Sequence, residues 1–244
     1  MRAALEQLAK IEPRLGGSVA TAAFTIRHGI APNWLGSSGP VSVEAAMLDT
    51  ASLARIAGKG IAVAWIPRPE ILAELISAHE TEVFLRVTDR EQDILDDCDR
   101  VAMEAQRGTV GEQAHLLRQA IAAARQRHYS AAQALATNIL DTTLRVACPL
   151  GVWQGYRPLR EAIEELRRHH TWRRLRTGLA LAPLLLALDS FDGAAGAVPG
   201  HYNRHATVHA AGTVQYTRQN TITAIMAASS AIREAHAMSI PHAQ

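Results

Sequence analysis

Lysine is nearly absent: of 25 basic residues only Lys10 and Lys59 are lysine, and the other 23 are arginine. With the abundant alanine, that skew reflects G+C-rich coding, so arginine content alone is no argument for phosphate binding, although a guanidinium suits it. Charge of one sign is missing too. The basic residues face 23 acidic ones, and the formal net charge of +2 excludes a bulk attraction to nucleic acid or to a membrane surface. Cysteine is limited to Cys98 and Cys148. They stand alone without metal-type spacing, which favours two reduced structural thiols and a cytoplasmic setting, and leaves one disulfide between them as the alternative. The longest apolar run, Leu179 to Leu188, contains Pro183 and falls well short of the roughly 20 residues of a membrane span, so it reads as a core helix and no membrane partner is expected. The opening Met1-Arg2-Ala3-Ala4-Leu5-Glu6 brings an acid before any apolar stretch, which argues against a secretory signal. There is no repeat of about 20 to 50 residues, no G-x-S-x-G and no glycine-rich phosphate loop. Ser130, Ser190 and Cys148 have no neighbouring base, so serine-triad hydrolysis is unsupported.

What remains is ordinary globular material, 48% hydrophobic and 20% charged over 244 residues, enough for one large or two small domains. Leu5, Leu8 and Ile11 give a short helix over 2–12 that Pro13 and Gly16-Gly17 end; 29–40 is loop chemistry; and a helix resumes over 43–56. The apolar run Ile61 to Ile66 fits either a strand or a buried turn, and Pro67 and Pro69 open a helix through Leu75. Between Glu80 and Glu104 nine acids meet three arginines, which predicts an acidic, solvated helical face. Gly108 and Gly111 mark a soft boundary between a mostly helical region of unclear role, 1–108, and a helical bundle, 109–244. In the bundle a helical hairpin is predicted over 113–127 and 130–147, turning at His128 and Tyr129 with Ser130 as N-cap. A long helix from Pro158, a short segment over 202–211 and a last helix over about 216–236 complete it, the last with Ile222, Ile225, Met226, Ser229 and Ile232 inward. The fold class is all-α, an antiparallel helical bundle with an additional helical N-terminal region.

The densest chemistry is His201-Tyr202-Asn203-Arg204-His205-Ala206-Thr207-Val208-His209, directly after a Gly- and Ala-rich loop. Arg204, followed at once by the polar His205 and after four intervening residues by His209, resembles the R-x4-6-H signature of the HEPN superfamily. Gln215-Tyr216-Thr217-Arg218-Gln219-Asn220 adds to the likeness, which covers about 110–236. The resemblance implies a small all-α bundle, a dimer with a composite site, metal-independent endoribonuclease activity with no cofactor, and a role as a toxin or phage-defence effector with RNA and an antitoxin or other protein as partners. The alternative it implies is a non-catalytic HEPN-like module that binds RNA or a protein.

The chemistry can be argued apart from the family. Metal-free RNA cleavage needs a base for the ribose 2′-hydroxyl proton, an acid for the leaving 5′-oxygen and a cation for the phosphoryl charge. Histidine near neutrality takes either proton role, and arginine offers a charged fork for two phosphate oxygens. His209 is then the acid or base and Arg204 the clamp. His205 is a third catalytic candidate, for which a positioning or packing role is the simpler reading. Tyr202, Asn203 and Arg218 are candidates for substrate binding. Five helical steps separate Arg204 from His209 by roughly 140°, so the pair meets only through the long arginine arm or across a dimer axis. Zinc is the rival use of His201, His205 and His209, spaced four apart, but three ligands on one helix drift around its axis and no glutamate base is present, so no metal is expected. Finally, seven arginines against three glutamates lie between Arg157 and Arg176. Arg167 and Arg174 in this stripe are further candidates for phosphate contact, against the plainer reading of a solvated helix face.

Overall fold

Ala, Ser and Thr dominate the last helix, and small side chains on all its faces let other helices approach closely from every side. A computed structural model, which describes residues 50–147, 172–193 and 196–239, places this helix at the centre of the molecule. The described residues form nine helices and no strand: α1 (Thr50–Ala57), α2 (Pro69–Ser77), α3 (Val83–Asp89), α4 (Glu91–Glu104), α5 (Gly111–Arg125), α6 (Tyr129–Ala147), α7 (Trp172–Ala187), α8 (Arg204–His209) and α9 (Arg218–Ser239). Sixteen of the 22 residues of α9 are buried, which marks it as a core helix rather than an amphipathic surface one. Its inward set includes Ile222, Ile225, Met226, Ser229 and Ile232, as the sequence pattern predicts. No described helix is long and apolar enough to cross a membrane.

The α5–α6 hairpin forms as expected, but α6 starts at Tyr129, so Ser130 lies inside its first turn instead of capping it. α9 packs most extensively on α6, and α5 joins α6 along the hairpin. Leu117, Ile121, Leu140 and Leu144 fill the space between them. The helix predicted over 2–12, the loop over 29–40 and most of the arginine stripe lie outside the described residues.

One apolar core runs through helices on both sides of Gly108. Ile94, Leu95, Cys98 and Val101 of α4 belong to the same buried cluster as Leu117 and Ile121 of α5 and Ile222 to Ile232 of α9. The run Ile61 to Ile66 is neither helix nor strand; all six residues are buried in that cluster. Trp65 adopts a left-handed φ of 71°, a costly conformation for a bulky side chain. It is held there by polar contacts: Trp65 Nε1–H donates to Glu234 Oε2 at 2.9 Å, the Thr177 hydroxyl donates to Glu234 Oε1 at 2.6 Å, and the Arg233 guanidinium lies 4.2 Å over the Trp65 ring. The Ser230 hydroxyl donates to the Ala64 carbonyl at 3.1 Å. Residues 61–66 are thereby fastened to α7 and α9.

Most of the acidic stretch is the solvated face that its composition predicts, with Glu80, Glu82, Asp89, Asp96 and Glu104 exposed, but two of its acids turn inward. Glu91 and Asp97 are buried, because arginines from other elements neutralise them. Arg68 donates to Asp97 through its backbone N–H at 2.8 Å and its Nε at 3.0 Å. Burial still raises the Asp97 carboxyl, while Arg68 pulls it the other way. Arg118 and Arg125 of α5 pair with Asp99 and Asp96 at 2.7 and 2.6 Å. Glu91, Asp96, Asp97 and Asp99 thus tie α4 to the rest of the bundle. Cys98, also on α4, is a free thiol pushed up to about 12 by complete burial, which makes it unreactive.

Candidate functional site

The segment 199–217 is built around one buried amide. Gln215 Nε2 donates to the carbonyls of Pro199 and His201 at 2.6 and 2.8 Å. Its Oε1 accepts from the Asn203 backbone N–H at 3.2 Å and from the Thr207 hydroxyl at 3.1 Å. Thr207 in turn accepts from Gln133 Nε2 of α6 at 3.0 Å, the Tyr216 hydroxyl donates to the Thr207 carbonyl at 2.9 Å, and Asn220 Nδ2 donates to the Gly200 carbonyl at 3.2 Å. A loop and a six-residue helix, too short to be stable alone, are fixed this way against α6 and α9.

Asn203 sets where α8 starts. Its backbone is extended (φ −136°, ψ 126°), and its side-chain oxygen accepts from the Ala206 N–H at 2.9 Å, the geometry of an N-cap. Arg204 is therefore the first helical residue and His209 the last. His201 lies before the cap, so the three histidines do not form a stripe. Among the described residues no group of three His, Cys, Asp or Glu side chains is arranged to hold a metal.

Arg204 reaches across to α6, where its guanidinium pairs with Asp141 Oδ1 at 3.1 Å; the two side chains are 16% and 17% exposed. Asp141 also accepts from Arg145 Nε at 2.8 Å, one turn further along α6. Arg204 NH1 lies 3.4 Å from Nδ1 of His205. The His205 ring stacks on that of His209, with centroids 6.4 Å apart and planes 18° from parallel. The result is a continuous polar row, Arg145, Asp141, Arg204, His205 and His209, running from a half-buried ion pair to an exposed imidazole. Burial, then the charges of Arg204 and His209, lower the pKa of His205 against a weaker opposing pull from Asp141. An imidazole whose cationic form is disfavoured thus lies between a fixed cation and an exposed histidine.

The row brings together three of the sequence candidates, Arg204, His205 and His209. Tyr202 and Asn203 are buried and engaged within the protein, Tyr202 through its hydroxyl with that of Thr137 at 3.1 Å and Asn203 as the cap. Arg218 is elsewhere, in the first turn of α9, paired with Glu91 at 2.6 Å and donating to the Thr88 carbonyl at 3.0 Å. Arg167 and the side chain of Arg174 lie outside the described residues. Sequence reading missed Asp141 and Arg145. Their i,i+4 spacing is the only local signal, and it is the pattern of a routine surface pair. No protein-family model, no curated protein and no solved structure matches the chain.

Proposed function

We propose that the chain is a metal-independent endoribonuclease of the HEPN type, acting through Arg204, His205 and His209. The observation that carries this reading is the row itself: a guanidinium, a neutral imidazole and an exposed imidazole in sequence, the first set in place by Asp141. In the proposed reaction His209 takes the proton from a ribose 2′-hydroxyl. The 2′-oxygen forms a bond to phosphorus as the bond to the 5′-oxygen breaks, and the partner subunit's His209 gives that oxygen a proton, while His205, whose acceptor nitrogen faces Arg204, holds the arginine and the His209 ring in place. Arg204 stabilises the charge that gathers on the non-bridging oxygens. Asp141 and Arg145 are positioning residues. A dimer whose twofold axis brings two α8 segments together, and a toxin or phage-defence role held in check by a protein partner, belong to the same proposal and rest on the family resemblance.

The Arg204–Asp141 pair favours a second reading. An arginine already satisfied by a carboxylate is also what a structural anchor looks like, and the chain would then be a non-catalytic module binding RNA or a protein. Incubating structured RNA with the protein in EDTA separates the two. The nuclease reading expects cutting by the unaltered protein and at least about a hundredfold loss in Arg204→Ala and in His209→Ala, the scale of one lost proton-transfer or charge-stabilising group. Undiminished cutting by both variants overturns the assignment of residues, and absence of cutting by the unaltered protein favours the binding module.

A further inference from the structure

The carboxylate of Asp141 is shared by two guanidiniums. Arg145, one turn along the same helix, donates to both of its oxygens, Nε to Oδ2 at 2.8 Å and NH2 to Oδ1 at 3.4 Å. From α8, Arg204 NH2 reaches Oδ1 at 3.1 Å. The other terminal nitrogen of Arg204 lies 3.4 Å from His205 Nδ1. Both arms of the Arg204 fork are therefore turned to protein neighbours, whereas stabilising a phosphate requires the fork to face the phosphate oxygens.

The sharing decides what happens when Arg204 leaves. A half-buried carboxylate stripped of its cation is left uncompensated, which is costly. Asp141 instead keeps the fork of Arg145, whose i,i+4 place on the same helix holds it near whatever α8 does. A phosphodiester, whose two non-bridging oxygens match a guanidinium, can then take Arg204 without leaving a bare charge behind. We infer that the Arg204–Asp141 pair is an inhibitory contact that masks the phosphate clamp in the free protein, and that Arg145 is the positioning residue that keeps Asp141 when an RNA phosphate draws Arg204 away. The inference rests on the nuclease reading of the α8 row and adds to it a resting state in which the clamp is closed. Arg145 acts through Asp141 and does not touch the RNA.

Removing an acid or an arginine beside RNA changes binding in any case, so the test is a double-mutant cycle. The probe is a fluorescein-labelled RNA hairpin, bound in EDTA by the full chain carrying His209→Ala to stop cutting. Asp141→Asn should tighten binding about tenfold, the scale of one charge-assisted contact, and Arg145→Gln should weaken it by a similar factor. In the Asp141→Asn background Arg145→Gln should change the affinity less than about twofold, since the carboxylate it steadies is gone. Arg145→Lys, which keeps a cation on Asp141, should restore most of the loss. With His209 in place, each single change should act on KM for cutting rather than on kcat, because the contact exists only in the free protein. Circular dichroism checks that each variant is folded. An equal effect of Arg145→Gln in both backgrounds, as direct phosphate contact or simple charge would give, overturns the inference and leaves the nuclease reading standing. Unchanged or weaker binding by a folded Asp141→Asn protein does the same. If no form binds the hairpin, the nuclease reading falls and the inference falls with it.

Discussion

At His205 three influences act in one direction: burial and the charges of Arg204 and His209 all disfavour the cation. Its titration followed by proton NMR should therefore have a midpoint below the ordinary histidine value. In Arg204→Ala, which removes a positive charge and admits water, the midpoint should move back up; a midpoint that does not move would mean that Arg204 does not tune this imidazole. His201 and His236 are lowered as well, each chiefly by desolvation. A histidine whose folded pKa is depressed lends stability above its unfolded value, near 6.5, and loses it as pH falls through the folded value, because the unfolded chain then binds more protons. Thermal melts should thus show the melting temperature falling as pH drops below about 6.5. His205→Gln should reduce that slope, and an identical slope in the variant would count against a buried neutral His205.

Among the elements, α8 depends most on its surroundings, since six residues cannot sustain a helix alone. Asn203→Ala removes the cap and should cost about 1 kcal/mol in urea unfolding. Gln215→Leu strips partners from two carbonyls, a backbone N–H and the Thr207 hydroxyl, and should cost about 2–4 kcal/mol through the groups left unsatisfied. Equal losses for the two variants would contradict the central place given to Gln215. Much of this scale was legible in the sequence. The hairpin of α5 and α6 and the inward set of α9 follow from apolar periodicity, and α8 falls within the short segment between the glycine-rich loop and Gly212. Gln215 was not legible as a hub, because its partners lie up to 16 positions away and depend on how the loop folds back. Asp141 was hidden for the same reason: its i,i+4 partner Arg145 is local, but the decisive one, Arg204, comes from another helix.

On the scale of the whole molecule, long-range ties join the first described residues to the last. Trp65 and Glu234 are 169 positions apart, and Arg218 and Glu91 127 apart. Composition could show the acids of α4 but not the arginines that reach them from the residue capping α2, from α5 and from α9, so the burial of Glu91 and Asp97 within a mostly exposed acidic stretch was not legible. Because α4 and residues 61–66 fill one core with α9, a fragment comprising 109–244 would expose that side of α9 to water. It should lack a cooperative thermal transition by circular dichroism, whereas the full chain should show one. A sharp transition in the shorter fragment would show that the C-terminal bundle is self-sufficient.

The central claim is that the α8 row cuts RNA by attack of a neighbouring 2′-hydroxyl, and the ends of the fragments report that chemistry directly. Structured RNA incubated with the full chain in EDTA should yield fragments ending in a 2′,3′-cyclic phosphate, paired with 5′-hydroxyl ends, and His209→Ala should yield none. Fragments with 3′-hydroxyl ends, or the same cyclic ends at the same rate from His209→Ala, would contradict it.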